Sequence, residues 1–469
     1  MNILHVEDDK SWFDRIIHPA LLEAGAGQVF HAENLELASS ILESESIDYV
    51  ILDLAIPLNN DTPTPELANG LNLASYIRLN FAGIPILILT GQSTEEALER
   101  FVEDLPVTTF WDGKPKHIVK VKKKHQLDVV MDTLSSAIQE LNAISAIELS
   151  HNGCELDKFE KRIIQLFSKH NNAIGAEVES ISGGLSSSRV LRVTLINNNG
   201  PFHFALAKID THDAIDTEDY NFRVHINKLP VGSFPTLLDM YYAGCGNKKG
   251  IFYQFAANYE SDYFNQLVKS EKVALDILQR LKLILNYWTL NYQVKQCTVK
   301  EIREKLCDDV KFNSLEEILK SIDSVNIDDF ERNQISVNSC VQHSDLHGKN
   351  ILISDTQQPI IIDYGDINEA SSVLDILTLE LSPYFHPSIR EQFSPPIEFF
   401  NNWFDDEYHI KHSPTPEVAT FLRNWKSECS FMNRQYIVTV YAYAVRQLTY
   451  EGTNKEYAKA LIKSAINNF

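Results

Sequence analysis

Four short apolar runs, at 3–6, 49–54, 84–89 and 118–121, alternate with amphipathic segments in the first quarter of the chain. Strands that are apolar throughout, rather than at every second position, belong to a sheet buried on both faces. A buried sheet interleaved with helices is parallel, so the leading domain, placed at 1–148, is expected to be an α/β fold whose parallel sheet is covered on both faces. Leu127, Val130, Leu134, Ile138 and Leu141 recur at helical spacing and supply its last helix.

Ligands of an open parallel sheet bind beyond the carboxyl ends of its strands. There the sequence sets Glu7 and Asp8 after the first strand, Asp53 at the end of the third, Thr90 at the end of the fourth and a lysine at the end of the fifth. Three carboxylates in one pocket repel one another and call for a divalent cation with hard oxygen ligands, such as Mg²⁺. With that cation bound, Asp53 is placed to attack a phosphoryl group, and Thr90 and the lysine to bind its oxygens. Lys120, Lys122, Lys123 and Lys124 crowd the strand end, with Lys114 before Pro115 as an outside candidate; Lys122 is preferred because it follows Val121, the last clearly buried strand residue.

These residues resemble the response-regulator receiver family, which implies a doubly wound five-stranded parallel α/β fold. The resemblance implies that Asp53 is the phospho-acceptor, that Asp8 and Glu7 join it in holding Mg²⁺, that Thr90 and Lys122 bind the phosphate and switch, and that a histidine kinase or another phosphodonor acts upstream. An insertion at 59–67 and the lack of an aromatic just before Lys122 depart from the common receiver pattern.

Between 149 and 260 the texture changes to strands at 178–181, 190–196, 202–209 and 250–255, with Asn198-Asn199-Gly200 as a hairpin signal, and an antiparallel sheet is expected. The run 182–188 contains Gly183, Gly184 and Ser186, small residues that let backbone N–H groups approach nucleotide phosphates. Lys208 stands on the otherwise apolar strand 205–209, where a buried ammonium needs an anionic partner such as the phosphates of ATP. Glu218, at the start of a helical stretch 217–229, is the candidate to pair with it. The run 250–257 reads as a last strand entering a hinge, with Gln254 and Ala256 offering backbone to adenine. From 261 to 469 the pattern is helical almost throughout, apart from a loop region at 343–368, and ends in helices at 436–444 and 457–466.

In that loop region His343-Ser344-Asp345-Leu346-His347-Gly348-Lys349-Asn350 is followed by a short apolar strand and Asp363-Tyr364-Gly365-Asp366. The spacing suits phosphoryl transfer: Asp345 orients an acceptor hydroxyl, while Asn350 and Asp363 hold Mg²⁺ against the phosphates of ATP. His343 braces the loop. The set looks like the aminoglycoside phosphotransferase and choline kinase branch of the protein-kinase-like fold, with Asp375 as the aspartate that supports the catalytic loop. The resemblance implies a bilobal α+β domain, an N-lobe at 149–260 and a C-lobe at 261–469, which transfers the γ-phosphoryl group of ATP to a hydroxyl. It favours a small-molecule acceptor over a protein. Rival readings are a nucleotide-binding pseudokinase scaffold and a protein kinase acting on a partner. The stretch 393–408 either shapes the acceptor site or fills core.

A formal net charge of −22 argues against general nucleic-acid binding, which depends on lysine and arginine. Six scattered cysteines without a Cys-x-x-Cys pair read as reduced thiols, and no apolar run is long enough to span a membrane. A cytoplasmic enzyme is therefore expected.

Overall fold

The structure is a computed structural model that describes residues 1–91, 107–151, 153–181, 189–255, 259, 261–323, 325–430 and 432–469. The described residues form two compact units: one of residues up to 181, 189–216 and 237–254, the other of 217–236 and 255 onward.

In the first unit, strands β1 (Ile3–Val6), β2 (Val29–Ala32), β3 (Tyr49–Asp53) and β4 (Ile86–Thr90) and, after a hairpin of β5 (Val107–Thr109) and β6 (Pro115–His117), strand β7 (Val119–Lys123) build the expected parallel sheet in the order β2-β1-β3-β4-β7. Its all-parallel register and five strands fit a receiver fold. Every residue of β1, β3 and β4 is buried, as their unbroken apolar runs require, whereas the edge strand β2 is half-buried. Helix Leu127–Ser145 closes the domain.

The same unit contains a second sheet of six strands, β8 (Glu148–His151), β9 (Gly175–Ser180), β10 (Arg189–Asn197), β11 (Gly200–Thr211), β12 (Leu237–Tyr241) and β13 (Lys248–Gln254), in the order β12-β13-β11-β10-β9-β8. It is antiparallel as expected, except that β8 runs parallel to β9. A helix absent from the sequence reading, Lys158–His170, starts at a capping box of Asp157 and Glu160 and packs a strongly apolar face onto this sheet.

The division expected at 148 falls at the first residue of β8 and does not separate two cores. Arg162 is buried and donates from Nη1 both to Asp48 Oδ1 and to Gly244 O, each at 2.6 Å, and Lys158 Nζ lies 2.7 Å from the same carboxylate oxygen. Trp111, fully buried after β5, donates to Ala243 O at 2.8 Å. Gly83 and Gly244 exchange backbone contacts as well: Gly83 N–H reaches Gly246 O at 2.9 Å and Gly244 N–H reaches Gly83 O at 2.7 Å. These glycines have no room for a side chain, since a Cβ on Gly244 would lie 2.8 Å from the Trp111 ring and one on Gly246 2.6 Å from Phe159.

The second unit is mainly helical and carries two three-stranded sheets: the one that includes 351–353 and 359–361 lies in the loop region where a short apolar strand was expected, and the one that includes 293–298 and 334–342 stands where helix was expected. One joins β14 (Ser261–Asp262), β17 (Ile351–Ile353) and β18 (Pro359–Ile361); the other joins β15 (Gln293–Thr298), β16 (Gln334–Gln342) and β19 (Asn368–Ser371). The helices Asn433–Leu448 and Lys455–Asn468 form the expected closing pair. In 393–408, Phe399, Phe400 and Trp403 are fully buried, so this stretch supplies core. None of the described helices is long and apolar enough to cross a membrane.

Candidate functional sites

At the carboxyl end of the parallel sheet, Glu7, Asp8 and Asp53 each bring a carboxylate oxygen within 4.8 Å of the others. Glu7 and Asp53 are buried and Asp8 is exposed, so the cluster opens to solvent on one side. Burial first, and then the nearby Asp53 charge, push the Glu7 carboxyl up to about 7 against the opposing pull of Lys124. A hard divalent cation suits such a set of oxygens.

The lysine of this pocket is Lys124, not Lys122. Its ammonium lies 2.6 Å from both Asp53 Oδ2 and Glu7 Oε2, and its N–H donates to Thr90 O at 3.0 Å. Those two carboxylates raise its pKa although burial acts to lower it. The reason for the difference is strand length: β7 continues through Lys123, which pairs with Thr90, so Lys122 is still opposite Leu89 and the first residue to clear the strand is Lys124. Lys120 sits over the Phe110 ring instead, 5.4 Å from its centroid, and Lys114 lies in the turn of the β5–β6 hairpin.

Lys208 lies in β11 of the first unit, 5% exposed, opposite Val190 and Ile251 on the two flanking strands. Gln254 ends β13 opposite Ala205. Gly183, Gly184, Ser186 and Ala256 lie outside the described residues.

The second unit assembles the Asp345, Asn350 and Asp363 segment from two loops and braces it from four directions. Asp375 accepts from His343 N–H at 2.8 Å and Ser344 N–H at 2.9 Å, fixing the start of the 343–350 loop. The buried His343 ring contacts Ile362 O at 3.0 Å through Nε2, and so ties that loop to the one carrying Asp363. Asn350 donates from Nδ2 to Asp345 O at 2.9 Å while its own carbonyl accepts from Ile362 N–H at 3.0 Å. Glu218, 1% exposed, accepts from Tyr364 N–H with both oxygens, at 3.1 and 2.9 Å, and Asn221 donates to Tyr364 O at 2.7 Å. Within its own unit, therefore, the glutamate proposed as a lysine partner anchors the loop of Asp363.

Ser344 and Asp363 both adopt φ +67°, the left-handed region that non-glycine residues seldom occupy. Such conformations cost of order 1–3 kcal/mol each and persist where surrounding contacts over-determine them. The braces just described supply those contacts.

Sequence reading missed one residue here, Arg446 of helix Asn433–Leu448. Its guanidinium forms an ion pair with Asp345 through Nη2 and donates from Nη1 to Ser344 O at 2.7 Å. Burial alone would raise the Asp345 carboxyl; Arg446, with His347 and His343, outweighs it and holds the carboxyl down at about 2. A signal was present, since Arg446 follows the apolar run 437–445, and a buried cation needs an anion. On the other side of Asp345, His347 Nε2 stands 3.6 Å from Oδ2 and its ring stacks near Phe264. Lys349 is engaged elsewhere, 2.8 Å from Asp262.

No family model matches the chain, and no curated protein matches it. Solved structures do. A CheY-like response-regulator receiver domain protein from Methanospirillum hungatei is 18% identical over 30% of this chain and 97% of its own, with a TM-score of 0.22. An aminoglycoside-3'-phosphotransferase of type VIII is 11% identical over 64% of this chain and 97% of its own, with a TM-score of 0.34. An ethanolamine kinase of Plasmodium vivax is 12% identical over 81% of this chain and 97% of its own, with a TM-score of 0.33.

Proposed function

We propose that the protein is an ATP- and Mg²⁺-dependent phosphotransferase that moves the γ-phosphoryl group to a hydroxyl of a small-molecule acceptor, under control of phosphorylation at Asp53. The observation that carries this reading is the joint bracing of Asp345, Asn350 and Asp363 by Asp375, His343 and Glu218. Phosphoryl transfer asks a protein chiefly for positioning and charge neutralisation, and loops held this firmly serve both.

In this reading Asp345 orients the acceptor hydroxyl through its carboxylate. A carboxyl held near 2 is a weak base, so its contribution is orientation more than early proton removal. Asn350, whose Nδ2 is committed to Asp345 O, would offer its amide oxygen to the cation, and Asp363 would add a carboxylate. Mg²⁺, when bound, neutralises charge on the phosphates. Lys208, with the run 182–188, serves the nucleotide. In the receiver-like domain Glu7, Asp8 and Asp53 hold a second Mg²⁺, Asp53 takes the phosphoryl group from a histidine kinase or small phosphodonor, and Thr90 and Lys124 contact its oxygens.

Transfer from labelled ATP across a panel of hydroxylated metabolites tests the enzymatic reading. Wild type is expected to turn over ATP, with Asp345→Ala and Asp363→Ala reduced by orders of magnitude; equal turnover in all three removes it.

A further inference from the structure

Arg446 lies in the last turn of a helix whose residues from Gln435 to Leu448 are all buried. A guanidinium in such a place needs acceptors, because an unpaired buried charge costs several kcal/mol. Its terminal nitrogens reach two acceptors in the loop that begins at His343, the carbonyl of Ser344 at 2.7 Å and the Asp345 carboxylate, and Tyr450 is a further partner of the guanidinium. Its Nε meets no acceptor among the described residues, so the two terminal nitrogens carry the attachment.

The placement of those two contacts is informative. Ser344 is the left-handed residue just before Asp345; its N–H is taken by Asp375 and its carbonyl by Arg446. The peptide groups on both sides of the left-handed residue are thus gripped by charged side chains from two different helices, Leu374–Phe385 and Asn433–Leu448. The planar fork of an arginine holds a carbonyl and a carboxylate in fixed mutual geometry, which a lysine's single ammonium does not. Because Arg446 takes Oδ1, the oxygen left toward the loop's other face is Oδ2, the one 3.6 Å from His347.

We propose that Arg446 is a positioning residue of the phosphotransferase site: by pinning Ser344 O and Asp345 Oδ1 together it fixes the catalytic-loop backbone and assigns Oδ2 to the acceptor hydroxyl. The proposal rests on the enzymatic reading above. It differs from a merely structural ion pair in a definite way. A structural pair would matter for folding and leave turnover per folded molecule unchanged, whereas a positioning residue lowers kcat without altering nucleotide binding.

The experiment uses the full chain and follows ADP release from Mg-ATP. Arg446→Met is expected to lower kcat by about 10²-fold, the effect of misplacing a reacting group by about 1 Å, with KM for ATP unchanged. Arg446→Lys, which keeps the charge and loses the fork, is expected between Arg446→Met and wild type. Wild-type kcat in Arg446→Met, or a change confined to KM, overturns the proposal. Should Arg446→Met fail to fold, Arg446→Lys decides alone: a kcat equal to wild type overturns it. A thermal-unfolding cycle of Arg446→Lys with Asp345→Asn is independent of activity and is expected to show non-additive Tm losses; additive losses overturn the pairing itself. A wild type no faster than Asp363→Ala would count against the enzymatic reading, and the cycle would still report on the pair.

Discussion

Replacing Arg162 by methionine tests how the receiver-like domain is joined to the six-stranded sheet. The side chain keeps its bulk but leaves Asp48, 1% exposed, without its buried cation, and leaves Gly244 O without its donor. Breaking a buried ion pair from one side costs about 3–5 kcal/mol. Here Lys158, whose side chain is 35% exposed, still lies 2.7 Å from Asp48, and Asn2 N–H still donates to it at 2.6 Å, so the expected loss is reduced. A net loss of about 2–3 kcal/mol corresponds to a Tm decrease of roughly 5–10 °C for a unit of this size. Calorimetry near neutral pH measures it directly. The sign of the pH dependence follows from Asp48: burial acts to raise its carboxyl, but Arg162 and Lys158 outweigh that and lower it below the usual range. A depressed carboxyl stabilises the fold above its unfolded pKa of about 4, and that contribution is lost as pH falls through the folded value. Wild type and Arg162→Met are therefore expected to differ most above about pH 4 and to converge in stronger acid. Unfolding of Arg162→Met within 1 °C of wild type near neutrality would refute the reasoning.

Two further outcomes are expected. With acetyl phosphate as donor, Asp53 should become labelled in wild type and in Lys122→Ala; Lys124→Ala should change the extent or lifetime of labelling by at least several-fold, and a reversed pattern, measured by acid-gel autoradiography, would reinstate Lys122. Asp375→Asn puts an NH₂ group against one of the two backbone N–H groups that the carboxylate now accepts, so unfolding free energy should fall by about 1–3 kcal/mol with a parallel loss of turnover; chemical denaturation at unchanged stability would show that the loop does not depend on this brace.

What the sequence disclosed depended on how near in the chain the cooperating residues stand. The strands β1, β3 and β4 were readable because full burial leaves a continuous apolar run, and the pocket of Glu7, Asp8 and Asp53 because each acid sits directly at or after such a run. His343, Asp345, Asn350, Asp363 and Asp375 fall within one stretch of chain, and their spacing alone suggested the loops. Arg446 acts on a partner 101 positions away and Arg162 on one 114 away, distances over which no local pattern exists. Lys124 was missed for another reason: in a run of lysines nothing distinguishes the residue that ends a strand from those within it. The strand β15 escaped because four of its six residues are exposed and its composition is polar, so it shows neither the alternation nor the apolar run by which strands are recognised.

The three glycines where the two sheets of the first unit meet have a bearing on protein engineering. Gly83 comes from the leading segment and Gly244 and Gly246 from the loop before β13; a Cβ on Gly83 would collide with Tyr242 O, one on Gly244 would lie 2.8 Å from the Trp111 ring and one on Gly246 2.6 Å from Phe159. A foreign domain grafted in place of residues 1–148 would have to reproduce the glycine at 83, the Trp111 indole against Gly244 and the Asp48 carboxylate that Arg162 contacts. Exchange of the leading domain at this position amounts to re-engineering a shared interior, and the natural unit to transplant is that domain together with the sheet that bears Lys208.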